Sequence, residues 1–361
     1  MKSQKFNPEN ERMKHTYEVW LREACGKSQH TSERAIASVH RFEQHSGYRS
    51  FKKLHPDQIC AFKATMISPK TGKPLSTSNR SSILADCRGF FAWLASQPGY
   101  KSAIRHSDLA YFNLTANEER AAKAGKLKDV PTADEIEEAL AAAPHETVVQ
   151  RRDRALFAFL WLTGARDAAV VSFNLSHVDL KERVLHQLGA EANTKFRKTF
   201  PTWFFPVGGE AEQIVAGWIE ELRNEHGFGV SDPIFPATET VRKGKRAFGA
   251  VGISKRAWRN SQPVRDAVRR IYENAKIRYF TPHRFRDALT LLASDFCQTP
   301  EDVASWSQNL GHDDVLTTLT NYGKVHPHRQ AELIKGMASR EHDLTGVPTK
   351  LLLKALGERT Q

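Results

Sequence analysis

Apolar residues recur at three- and four-residue spacing through most of the first hundred positions. The pattern predicts helices over Tyr17–Ala24, Ser32–His45, Pro56–Met66 and Thr77–Ser96. In the last of these Ile83, Leu84, Cys87, Phe90, Phe91 and Leu94 form one stripe, and Arg80, Asp86 and Arg88 fall off it. One face is therefore core, and the other is open to solvent or phosphate. Gln97-Pro98-Gly99 supplies the stop.

The stretch 115–130, TANEERAAKAGKLKDV, is polar, small and mixed in charge, with no apolar stripe to anchor it, and reads as the link between two domains. Thr132 with Glu135 three residues on is a capping box, opening a helix through Leu140. A second helix, Arg152–Leu162, ends at Thr163-Gly164. The period then changes. Arg183–Gln187 and Thr199–Val207 are short β-prone runs separated by the polar segment Ala190–Lys198, which predicts a hairpin or small sheet inside a helical domain. Helical spacing returns near 210–225, 262–276, 282–297, 300–309 and 314–321. These elements predict a mainly α protein with a small β-sheet. The domains are a helical one over 1–115, a linker over 116–130, a mixed α/β one over 131–345 and a tail over 346–361.

The chain has 361 residues, 40% hydrophobic and 26% charged, enough for two domains that each bury a core. Its net charge is +12, and the excess is uneven. Residues 241–286 hold fourteen Lys and Arg against only Asp266 and Glu273, and residues 1–115 hold eighteen basic against nine acidic side chains. A polyanion is the natural partner of such a surface, although a basic run on its own is often only a solvated face. Cys25, Cys60, Cys87 and Cys297 form no C-x-x-C pair, so neither a zinc site nor a disulfide framework is indicated, and they read as reduced, mostly buried thiols. The N-terminal residues lack an apolar signal core. The longest apolar run, around Ala155–Leu162, is too short to span a bilayer, so the expected compartment is the cytoplasm.

Four short elements can carry chemistry. Leu162-Thr163-Gly164-Ala165-Arg166 places an Arg just past a Gly-terminated helix. Thr194-Lys195 lies at the polar tip between the two β-prone runs, with Lys198 as a rival. Thr281-Pro282-His283-Arg284-Phe285-Arg286 suits an N-cap, a first-turn Pro, and two side chains at i and i+3 aimed at one phosphate by a helix N-terminus. Leu310-Gly311-His312, with Tyr322 near the end of the next helix, completes the set. Each element alone also reads as a helix cap, an exposed polar pair or a packing tyrosine.

In that order the four elements resemble the tyrosine recombinase or phage integrase family, over about 130–340. The resemblance implies a C-shaped DNA clamp made of a helical, SAM-like core-binding domain and a mixed α/β catalytic domain. It assigns one active site to Arg166, Lys195, His283, Arg286, His312 and Tyr322. A phosphodiester gathers negative charge on its equatorial oxygens as phosphorus becomes five-coordinate, and Arg166 and Arg286 are the clamp for it. Tyr322 is the nucleophile, His283 the base that removes its proton, His312 a donor to a phosphate oxygen, and Lys195 the acid for the departing 5′-oxygen. No metal or nucleotide cofactor is implied. The implied function is site-specific DNA recombination through a 3′-phosphotyrosyl link, for a mobile element in a prokaryotic-type cell. The implied partners are double-stranded DNA, four protomers on that DNA and accessory DNA-bending proteins, with no membrane. Type IB topoisomerase-like relaxation and a non-catalytic DNA-binding role are the alternatives. Segments Ala331–Met337 and Lys350–Leu356 are amphipathic enough to dock on a neighbour or on their own domain. The chain departs from the family pattern at Ala169, where an acid is common, and in the longer spacing from His312 to Tyr322; Asp167 beside Arg166 is the candidate substitute for the missing acid.

Overall fold

A computed structural model describes residues 6–68, 71–123, 129–191, 198–242 and 248–312. The chain divides into two compact units, 1–126 and 127–361, each with its own apolar core.

The first unit is helical: α1 (Pro8–Glu23), α2 (Gln29–His45), α3 (Pro56–Ala64), α4 (Thr77–Leu94) and α5 (Ala116–Lys123). Helix α1 begins nine residues before the apolar period predicts. Asn7 caps it by accepting from the N–H groups of Glu9 and Asn10, and Pro8 sits in the first turn. Its early buried face is polar, which hides it from a hydrophobic pattern. Asn10 and Lys14 are both buried and bind Glu43 of α2 at 2.8 and 2.6 Å. The α4 stripe packs as predicted, with Phe90 and Phe91 against Phe51 and Phe42 of the same core. Its polar side is engaged within the unit: Arg34 pairs with Asp86, Arg80 with Glu118, and Arg88 donates to Asn113. The polar stretch after Leu114 therefore contains a helix, α5, joined to α4 through charge rather than through an apolar stripe.

The second unit contains α6 (Ala133–Ala141), α7 (Val148–Thr163), α8 (Asp167–Val170), α9 (Gly209–Asn224), α10 (Gln262–Asn274), α11 (His283–Phe296) and α12 (Pro300–Asn309). The Thr132–Glu135 capping box is formed in both directions. Helix α7 is buried without a break from Ala155 to Thr163 and forms the centre of the core. Three antiparallel strands stand beside it in the order β1 (Val178–Asp179), β2 (Val184–Gln187), β3 (Phe200–Trp203), with Val184 opposite Trp203 and Gln187 opposite Phe200. A second antiparallel pair, β4 (Thr238–Arg242) and β5 (Phe248–Ile253), straddles the start of the basic stretch, where charge and glycine conceal any alternation. Of the four cysteines only Cys87 is buried; Cys60 is exposed, and Cys25 and Cys297 are intermediate, a correction to the expectation of mostly buried thiols. No helix among the described residues is long and apolar enough to cross a membrane.

Candidate active site

Three helix ends converge in the second unit. The first is the end of α7, where Gly164 turns the chain with φ of 56° and leaves Arg166 at the start of α8. The second is the first turn of α11, which carries His283 and Arg286; Pro282 already has helical dihedrals. The third is the end of α12. There the N–H of Gly311 donates to the carbonyl of Gln308 and that of His312 to the carbonyl of Ser307, the paired bonds of a Schellman turn with Gly311 at φ of 65°.

Arg286 ties these ends together. Its guanidinium donates through Nη1 to the Gly164 carbonyl at 3.0 Å and through Nη2 to the Leu310 carbonyl, and the side chain is buried. Burial, with the Arg166 guanidinium close by, pushes its pKa down to about 9, so it remains charged at neutral pH. Burial likewise lowers Arg166. His312 is pushed down to about 4 by burial and then by the charges of Arg286, Arg166 and His283, with Asp287 opposing. The charges of Arg166, His283 and Arg286 all bear on His312, so four of the six sequence-derived site residues lie near one another. At neutral pH His312 is an uncharged imidazole with one N–H to donate. Arg166 and Arg286 thus place two cations in a partly buried site.

Lys195 and Tyr322 lie outside the described residues, as do the expected helix at 314–321 and both tail segments. Lys198 is described: it is half-buried and lies just before β3. Ala169 is buried, and Asp167 binds Arg265 at 2.8 Å rather than its neighbour in sequence. The basic stretch is less free than its local surplus implied. Arg265, Arg270, Arg278 and Arg284 pair with Asp167, Asp153, Asp129 and Asp287, acids that all come from outside it. The structure also gathers two sets of metal-ligand types that the sequence did not signal. Glu11, His40 and Glu43 surround the Lys14 ammonium, at 2.8 Å from Glu11 and 2.6 Å from Glu43, so a protein cation fills that position. In the other set, Glu221, Glu225 and His226, Glu221 takes both arms of Arg151.

Residues 130–329 match the phage integrase family, a stretch that spans every candidate site residue. The chain belongs to this family, the tyrosine recombinases, a class of DNA strand-transferring enzymes. Tyrosine recombinase XerC of Pseudomonas putida is 23% identical over 305 residues, covering 84% of this chain and 88% of that protein. XerC of Bifidobacterium longum is 25% identical over 173 residues, so the chain spans less than half of that relative, 43%. Among solved structures, a lambda integrase dimer bound to a COC′ core site aligns with TM-score 0.53 at 15% identity, over 88% of this chain and 97% of that one. The Tn1549 transposon integrase in complex with transposon right end DNA aligns with the same score at 16% identity, over 91% and 99%. The fold is that of the integrases.

Proposed function

We propose that this protein is a site-specific recombinase that cuts and rejoins DNA strands through a phosphotyrosyl intermediate. The observation that carries the reading is the Arg286 bridge between the Gly164 and Leu310 carbonyls, which brings the turns bearing Arg166 and His312 to the first turn of α11, with the charges of Arg286, Arg166 and His283 all bearing on His312. A phosphodiester seated there meets two partly desolvated guanidinium groups, for which an anionic partner offsets the cost of burial. Their attraction grows as the transition state gathers charge on the equatorial oxygens.

Tyr322 attacks phosphorus. The Tyr322 Oη–P bond forms, the P–O5′ bond breaks, the tyrosyl proton passes to His283, and Lys195 gives its proton to the departing O5′. Neutral His312 donates its N–H to a nonbridging oxygen. The bond energy is kept in the 3′-phosphotyrosine, so a second 5′-hydroxyl reverses the step and restores all the groups without ATP. Double-stranded DNA is the substrate. The related structures, an integrase on a core site and a transposon integrase on an element end, support this reading and service to a mobile element. Both units contact the duplex, and four protomers assemble because a full exchange requires two cuts on each of two duplexes.

The test is covalent capture. Wild type incubated with a nicked target is expected to become attached to a DNA 3′ end, and peptide mapping to place the bond on Tyr322. Tyr322→Phe should bind DNA as well as wild type and form no adduct. Attachment to Tyr272 or Tyr279 would displace the assignment, and no attachment would leave a DNA-binding protein without the reaction.

A further inference from the structure

The outer edge of β3 makes contacts that the chemistry above does not use. Asn309, the last residue of α12, spends both halves of its amide on the main chain of Trp203. Its Oδ1 accepts from the Trp203 N–H at 2.7 Å, and its Nδ2 donates to the Trp203 carbonyl at 2.9 Å. This is the double bond pattern that a neighbouring antiparallel strand would offer. The main-chain carbonyl of Asn309 accepts in turn from the Thr202 hydroxyl at 3.0 Å, and that hydroxyl accepts from Gln187 Nε2 of β2 at 2.8 Å. Both strands of the hairpin are thereby tied to the end of α12. A third contact follows two residues on. Gly311 lies so close to the ring of Phe200 that a side chain there would run into it. The next residue is His312.

We infer that Asn309 is a positioning residue. It fixes the β2–β3 hairpin to the turn that presents His312, and in the sequence the segment that joins those two strands carries Thr194-Lys195. This rests on the proposed role of Lys195. The stalk of the hairpin has only four residue pairs, from Val184–Trp203 to Gln187–Phe200, and β1 adds only two residues on the far side of β2, so this small sheet sets its own direction weakly. Pro201 has no N–H to offer a further strand, so this edge depends on α12 for its anchorage. Asn309 itself is half-buried and its bonds to Trp203 face solvent, which suits a group that sets direction more than one that holds up the core.

The experiment compares two DNA substrates, one ordinary and one with sulfur at the bridging 5′ position. Sulfur departs as a thiolate and needs no proton, so its release does not depend on the lysine. Asn309→Ala is expected to cleave ordinary DNA at least about tenfold more slowly than wild type, since small misplacements of a catalytic group are costly. It should cleave the sulfur substrate within about threefold of wild type, because only the proton transfer has been disturbed. Lys195→Ala should show the same pattern more strongly. Equal slowing on both substrates, or no slowing on ordinary DNA, overturns the positioning role. If Asn309→Ala does not fold, Asn309→Asp, which keeps the acceptor for the Trp203 N–H but opposes its carbonyl, carries the same comparison. Wild type that cleaves neither substrate removes the functional reading and not the staple. Hydrogen exchange at the Trp203 amide reports the staple independently: faster exchange in the variant supports it, and unchanged exchange overturns it.

Discussion

Arg286 donates from the first turn of α11 to the main-chain carbonyl of Gly164, 122 residues earlier in the chain, at 3.0 Å. Its other arm reaches the Leu310 carbonyl, so one guanidinium joins the ends of α7 and α12. The three donors of a lysine share one nitrogen, so it cannot reproduce the separated, planar nitrogens with which Arg286 reaches two carbonyls. Arg286→Lys is therefore expected to destabilise the second unit by about 2–4 kcal/mol, since two buried acceptors lose a planar donor. It should slow single-turnover cleavage at least about a hundredfold through loss of a preorganised donor. Thermal melting alongside cleavage of a nicked target measures both; wild-type stability in the variant would show that the bridge is incidental to the fold.

Gly311 occupies the left-handed region and abuts the Phe200 ring. Gly311→Ala must meet both constraints, and is expected to cost about 2 kcal/mol or more in denaturant unfolding. Gly164 has φ of 56°, but an added Cβ there would meet chiefly the flexible end of Leu289, at 2.9 Å, so Gly164→Ala should cost less. The reverse order would mean that the Phe200 ring moves aside freely.

His312 makes the protein sensitive to acid in a defined window. Its pKa is about 4 in the folded protein against 6.5 for an ordinary histidine, so between these values the unfolded chain binds more protons. Stability should rise with pH from about 4 to 6.5 and flatten beyond. A bound phosphodiester adds negative charge beside the imidazole and raises its pKa. DNA binding should therefore take up a proton and strengthen as pH falls through the same window. An NMR titration of the His312 ring, free and on DNA, measures both values; a pKa unchanged by DNA would take His312 away from the phosphate.

The sequence made local features legible and distant ones not. The Thr132–Glu135 box, the α4 stripe and the glycine turns at Gly164 and Gly311 are set by neighbours within a few residues, and the structure has them. The four described site residues were each visible as motifs for the same reason. What escaped was decided across the chain. Asp167 was read as a support for Arg166 by adjacency, whereas Arg265 binds it from 98 residues away. The first turns of α1 bury Asn10 and Lys14, polar residues whose buried partner, Glu43, lies in α2. Asn309 looked like the unremarked end of a helix, because its use lies in β3.

The buried pair of Lys14 and Glu43 gives a test of the two-unit organisation. Glu43 is fully buried; it accepts from Lys14 at 2.6 Å and from Asn10 at 2.8 Å, and His40 Nδ1 lies 3.6 Å away. Replacing it by methionine keeps the bulk but leaves the Lys14 ammonium with only the exposed half of its partners, Glu11, and with the His40 ring. Breaking one side of a buried ion pair typically costs about 3–5 kcal/mol, because the remaining charge is left inside without compensation. The loss should fall on the first unit alone, since its core shares no residue with the core built around α7. Denaturant unfolding of Glu43→Met should then show an early transition absent from wild type, and the tryptophan signal of Trp161, Trp218 and Trp306 should keep its midpoint. A single transition that shifts as a whole would mean that the two units unfold as one.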